Sequence, residues 1–350
     1  MAERRRRRGL GVGTLLVVLA GTAPAADRTD LDRMMREFGL SPESAARVRS
    51  GEIVESTPAA STERELAVGL TFLVQQPVGS VLGAFRAAAD LKADNQLSAW
   101  AVIRGSLDDF ASLTLPSDEA KRYLAARPGD TLNLSAGEIE AFDALASAAG
   151  DATSSAERQL KRSLFDRYGR YSTVGLDGIA PYARGGGRVR APADELRAAA
   201  EGASLLDHYA PVLWQLLRSY PRGKPAELEE RFYVLRYELD GRPNYTLRHR
   251  MVSPFSGGVA LVDRDFYVSH GYNTSQAISG LVPVPEGTVI FYRSRVSTDQ
   301  IGGMGSSMKR TIGRSVMAKQ LTEIFRRTRA SFERHEMSPA PVATDAGLLP

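Results

Sequence analysis

Three runs in the last third of the chain constrain the fold most: "RFYVLRYEL" (231–239), "NYTLRHRMV" (244–252) and "GVALVDRDFYVSH" (258–270). They are rich in aromatic and β-branched residues, and only "DGRP" and "SPFSG" separate them. Such runs form strands, and connections this short join antiparallel neighbours. A fourth run, "GTVIFYRSRVST" (287–298), adds a strand after the longer "GYNTSQAISGLVPVPE", expected to be a loop that curls over the open end of the sheet. The segment "GGMGSS" then breaks the chain, and Ser306 or Ser307 can cap a long helix. In that helix Met308, Ile312, Val316, Leu321, Ile324, Phe325 and Phe332 keep to one broad stripe, which must be buried, and the sheet is the nearest partner.

The first half reads differently. Short helices are expected around 29–50. Leu66, Val68, Leu70 and Phe72 alternate with smaller or polar residues, as a half-buried strand requires. Pro77 ends that strand and suits the first turn of a helix carrying Val78, Val81, Leu82 and Phe85. "LSAWAVIRG" (97–105) is a further short strand, and helices follow near 117–126, 135–148, 154–171, 192–201 and 204–219. The loop "GLDGIAPYARGGGRVRAP" is expected on the surface. The class is α+β: an antiparallel sheet closed by a long C-terminal helix, with a helical insertion at 106–225.

At this point a family resemblance appears. "LTFLVQQPVGSVLGAFRAAAD" resembles the opening of START-like (steroidogenic-acute-regulatory-related lipid-transfer) domains, and 231–334 is similar to their final strands and closing helix. "GLDGIAPYARGGG", "FYVSHGYN" and "RVSTDQIGGMGSS" look like segments of an uncharacterised group of exported bacterial proteins. The resemblance implies a helix-grip domain over 61–334, preceded by a helical segment 27–60, with a cavity between sheet and helix for an apolar or amphipathic ligand. The insertion departs from the family pattern and leaves the size and shape of that cavity open.

The start of the chain carries an address. Five arginines (Arg4–Arg8), the short apolar stretch "GLGVGTLLVVLAGTA" and the small-residue site "APAA" have the make-up of a secretory signal peptide over 1–26, cleaved near Ala25 or Ala26. The mature protein is therefore expected in the periplasm, with a Pro/Ala-rich disordered tail at 335–350. The leader also accounts for the basic balance: the chain has 45 basic and 41 acidic residues, and removing five Arg and Glu3 leaves 45 − 5 = 40 against 41 − 1 = 40. A nucleic-acid binder needs a basic footprint over its domain, so nucleic acid is not an expected partner.

Catalytic chemistry finds little support. The histidines are His208, His249, His270 and His335, without an H-x-x-x-H pair, and there is no cysteine, so neither metal nor cofactor is expected. No G-x-S-x-G elbow or P-loop occurs. What remains are polar residues scattered among apolar ones on central strands. Arg236, His249, His270, Tyr272, Arg293 and Arg295 are the candidate ligand-binding set; read as plain structure, they are parts of a buried ion-pair network. Three functions stay open. The preferred one is binding or carrying an apolar or amphipathic small molecule. The second is an enzyme using His270 with Asp265 or Asp299 as an acid–base pair. The third is an envelope scaffold without a ligand. Basic residues of the closing helix (Lys309, Arg310, Arg314, Arg326, Arg327) offer a surface for anionic lipid head groups; an ordinary solvated face is the plainer alternative.

Overall fold

The computed structural model describes residues 28–129, 131–147, 150–301 and 306–334. The leader, the tail, His335 and the side chains of Arg28, Thr29, Asp30, Ser306, Glu333 and Arg334 lie outside the described residues. Helices α1 (Arg28–Glu37) and α2 (Pro42–Arg49) open the chain, followed by strands β1 (Val54–Ser56) and β2 (Glu65–Val74). Next come α3 (Val78–Arg86), α4 (Ala89–Ala93) and β3 (Leu97–Ile103). The insertion holds α5 (Ser117–Leu124), α6 (Ala136–Ala146), α7 (Ala152–Val174), the small hairpin β4 (Tyr182–Ala183) and β5 (Val189–Arg190), then α8 (Pro192–Glu201), α9 (Ser204–Tyr209) and α10 (Pro211–Ser219). The meander is β6 (Glu229–Leu239), β7 (Arg242–Phe255), β8 (Gly258–Val268), β9 (Thr274–Val284) and β10 (Gly287–Ser297), and α11 (Ser306–Arg334) closes the chain.

The main sheet is antiparallel throughout, in the order β1-β2-β10-β9-β8-β7-β6-β3. Helices α3 and α4 carry the chain from β2 to the far edge, where β3 pairs with β6, and the meander then walks back until β10 lies beside β2. The β6–β7 hairpin turns on Asp240 and Gly241, both at positive φ (53° and 73°), the backbone that an Asp-Gly two-residue turn requires.

Each face of the sheet is covered. On one side α3 and α11 enclose Val68, Leu70, Phe72, Leu261, Ile290 and Tyr292, with Phe325 and Phe332 of α11 between them. On the other side the insertion packs on Phe232, Val234, Leu247, Val262 and Phe266, while α1 and α2 cover Leu73, Val282, Val289 and Phe291. The α+β sheet closed by a C-terminal helix is therefore present, with the helices of 106–225 inserted between β3 and β6.

Three expectations are corrected. The stretch expected as a loop, 271–286, contains β9, a full strand between β8 and β10. Gly280 and Pro283 hid it. Pro283 lies beyond the last β8 pair (Val259 with Leu281), so its missing N–H interrupts no ladder there. The helix expected at 204–219 is two, parted where Pro211 starts α10. The stripe of α11 is also shifted: Met308, Ile312 and Val316 are exposed (70%, 59% and 52%), while Ala318, Phe325, Thr328 and Phe332 are buried. In its first half the helix turns Gly313 to the sheet, where a Cβ would meet Leu66 at 3.1 Å.

Candidate functional site

A cavity of about 470 Å3 lies between α11 and the sheet. Leu66, Phe85, Leu261, Met317, Leu321 and Phe325 form apolar walls. Its polar groups come from alternate positions of the central strands and from α4 and the turn after it. Arg248 of β7 donates to both carboxylate oxygens of Asp265 on β8, at 2.6 and 3.1 Å, and Tyr272 Oη donates to Asp265 Oδ2 at 3.2 Å. Asp265 and Arg248 are nearly buried (side chains 2% and 16% exposed). Asp94, which accepts from the Gln96 N–H at 3.0 Å, is pushed up by burial, while burial raises the Tyr272 hydroxyl well beyond neutral pH, so it stays a donor.

Beneath this floor sits a second pair. Arg250 donates to Asp263 at 2.8 and 2.7 Å, to Asp90 Oδ1 at 3.1 Å and to the Phe85 carbonyl at 2.9 Å. Burial alone would raise the Asp263 carboxyl, but the charges of Arg250 and then Arg248 win and hold it down.

The lining is acidic. Asp90, Asp94, Glu238, Asp240, Asp263 and Asp265 border the cavity against a single guanidinium, Arg248. Two of these acids, Asp90 and Asp263, share the single charge of Arg250, and Glu238 pairs with Arg236 at 3.0 Å. The space therefore offers acceptors to whatever enters, and it disfavours an anionic head.

The sequence candidates are spread over both faces. Tyr272 and Asp265 belong to this cavity. Arg236 lies at the β3–β6 edge, donating to Ser98 Oγ at 3.2 Å. Arg293 and Arg295 point to the opposite face, Arg293 over the Phe38 ring and Arg295 in an ion pair with Glu65. His270 is buried, and its Nε2 lies 3.1 Å from the Pro243 carbonyl, which can only accept, so that nitrogen carries the proton. Burial, and then Arg242, push the His270 pKa down. Asp299 holds Arg64, Arg184 and Arg190 in a polar cleft at the end of the sheet, which adjoins the cavity through Gly271, Tyr272, Thr298 and Gln300. His270, Asp265 and Asp299 thus have different partners, and His270 lines neither the α11 cavity nor that cleft.

His249 is a core residue. It stacks on Phe232 (ring centroids 4.3 Å apart) and shares a hydrogen bond of 3.1 Å with Tyr171 through Nδ1. Its Nε2 lies 3.3 Å from Glu230 Oε2, within ion-pair reach but off hydrogen-bond alignment. Burial pushes its pKa down to about 4, against the pull of Glu230. The unfolded histidine titrates near 6.5. The group is therefore neutral in the fold at pH 7, and the stability it allows is complete above about 6.5 and lost as pH falls from there towards 4. The slope is roughly 1.4 kcal/mol per pH unit for one proton. Urea unfolding at pH 7 and pH 5 should show this loss, and His249→Phe, which cannot take up a proton, should flatten it. An equal loss in the variant would show that other groups set the acid limit.

Sequence reasoning missed Arg248, Asp263 and Asp94. A signal for the first two did exist: the β7–β8 turn pairs Phe255 with Gly258, and counting back from it sets Arg250 opposite Asp263 and Arg248 opposite Asp265. Asp94, between α4 and β3, carries no comparable mark.

Among the described residues, no group of three His, Asp or Glu side chains is placed to hold a metal ion, and no helix is long and apolar enough to cross a membrane. No protein-family model, curated protein or solved structure matches the chain.

Proposed function

We propose that this protein binds, and carries, an amphipathic small molecule whose apolar body lies between α11 and the sheet. The observation behind this is the cavity itself: about 470 Å3 of mainly apolar wall with a fixed Arg248–Asp265–Tyr272 group, the make-up and size of a small-molecule site. Its acidic lining favours a polar end that donates hydrogen bonds, such as a hydroxyl or an ammonium. The strand order and closing helix support the START-like reading of the sequence.

The arginine-led leader and its small-residue end support export to the periplasm, with cleavage near Ala25 or Ala26. Loading from an anionic membrane surface would use Lys309, Arg310 and Arg314, which lie along the same half of α11 as the exposed Met308, Ile312 and Val316; Val316 borders the cavity. Arg326 and Arg327 serve less well, being drawn to Glu323 at 2.6 and 3.0 Å.

Displacement of the apolar fluorophore N-phenyl-1-naphthylamine tests the binding reading. Decanol and decylamine should displace it more effectively than decanoate. Ala277→Phe, which fills the cavity from β9, should weaken binding about tenfold or more, because each buried CH2 contributes ≈ 0.8 kcal/mol. Equal binding by a folded Ala277→Phe protein would place the probe elsewhere and refute the proposal.

A further inference from the structure

We propose a second, independent site on the opposite face of the sheet: a pocket for a small apolar carboxylate, held by Arg293 and Gln276. The pocket lies where α1 and α9 meet over β9 and β10. Its walls include Met34, Phe38, Leu206, Phe255, Ile278 and Phe291. The polar groups that face it are few: Tyr209 donates to Glu37, Arg295 pairs with Glu65, and only Arg293 and Gln276 keep a donor without a partner.

Arg293 donates to the Phe38 carbonyl at 3.3 Å and stands over the Phe38 ring, its guanidinium carbon 4.6 Å from the centroid. Its Nε–H is buried without a partner. Among the described residues no carboxylate pairs with it. Burial, and then the like charge of Arg295, pull its pKa down to about 10, which leaves it charged at neutral pH. Arg295 itself is occupied by Glu65, Ser61 and the Gly202 carbonyl. A half-buried cation with no counterion is costly, and an entering carboxylate supplies the missing charge.

Gln276 is 1% exposed. Arg264 donates to its Oε1 from Nε and Nη2, at 3.1 and 2.8 Å, which fixes the amide with the oxygen towards Arg264 and the amino group away from it. That amino group, Nε2, has no partner. The ladder pairs Arg293 with Ile278 and Arg295 with Gln276, so Arg293 and Gln276 are diagonal neighbours on one face, a separation long side chains can bridge. Two unpartnered donors on adjoining strands thus border one apolar pocket.

Size sets the ligand class. The pocket volume is about 60 Å3, room for roughly four to six water-sized groups. That suits a short or branched acyl chain rather than a long fatty acid. The site owes nothing to the α11 cavity, whose acidic lining would repel the same ligand.

Isothermal titration with hexanoate, and with hexanol as the uncharged control, tests the assignment. Hexanoate should bind the wild-type protein saturably, with hexanol about tenfold or more weaker, since a charge-assisted pair is lost. Arg293→Met should remove that preference for the acid. Gly280→Leu offers a check that keeps Arg293: a Cβ there meets nothing nearer than Phe291 at 3.8 Å, so the added side chain enters the void and should abolish binding. Ala277→Phe, on the other face, should bind hexanoate normally. The proposal fails if wild-type protein shows no saturable hexanoate binding, if hexanol binds as well as hexanoate, or if Gly280→Leu binds unchanged. It fails equally if Ala277→Phe loses the ligand, which would move hexanoate into the α11 cavity. Should Arg293→Met not fold, Gly280→Leu decides alone.

Discussion

Phe325→Ala should destabilise the protein by about 3–5 kcal/mol, the range for emptying a packed aromatic site. The ring is 5% exposed and wedged between two others, with centroids 5.1 Å from Phe72 and 4.6 Å from Tyr292. Those partners sit on β2 and β10, so one side chain ties α11 to two strands. The site cannot collapse readily, because it borders an existing cavity and the strands behind it are held by their ladders. Phe332, edge-on to Phe85 at 5.8 Å and two residues from the end of α11, should cost less. Equilibrium urea unfolding of both variants checks the ranking. An unchanged midpoint for Phe325→Ala would mean that α11 does not hold the sheet.

Replacing Arg250 by methionine should cost a similar amount, about 3–5 kcal/mol, for an electrostatic reason. Methionine keeps much of the side-chain length but strands Asp90 and Asp263, which Arg250 bridges from β7 to α4 and β8. A buried carboxylate deprived of its partner costs more than the pair contributed. Adding Asp263→Asn to Arg250→Met should therefore recover part of the loss, because the stranded charge is removed. Chemical denaturation of the single and double variants reads this coupling. A loss below about 1 kcal/mol for Arg250→Met would show that water reaches the pair and screens it.

The meander and the closing helix were legible because strand make-up, short turns and a helical stripe act locally. The site was less so, and the reason is parity. Successive strand residues face opposite ways, so one misplaced residue moves a whole set to the other face. Such a shift exists in β8. The pairing runs Arg248 with Asp265 and then Leu247 with Tyr267, leaving Phe266 as an extra residue. Strict alternation groups Tyr267 with Asp263 and Asp265. The bulge instead sends it to the insertion side, under the guanidinium of Arg167 at 4.2 Å. Mixed faces hid the rest, since Arg264 and His249 are at least as buried as Arg250 and Asp263 but turn their polar groups to the insertion core, Arg264 to the Leu217 carbonyl and Gln276, His249 to Tyr171. Polarity on a strand marked both faces equally, and only the register and the covering helices told cavity from core.

Native mass spectrometry of the protein purified from its own host reads both the proposed cleavage and the proposed ligand, because one spectrum gives the chain mass and any bound molecule. The expected spectrum shows a chain lacking the first 25 or 26 residues and carrying an adduct that collisional activation releases as an amphipathic hydroxyl- or amine-bearing molecule. Ala277→Phe prepared in the same way should fly without it. A wild-type protein that appears only as the bare chain, or an adduct that persists in Ala277→Phe, would mean that the α11 cavity is not a ligand site.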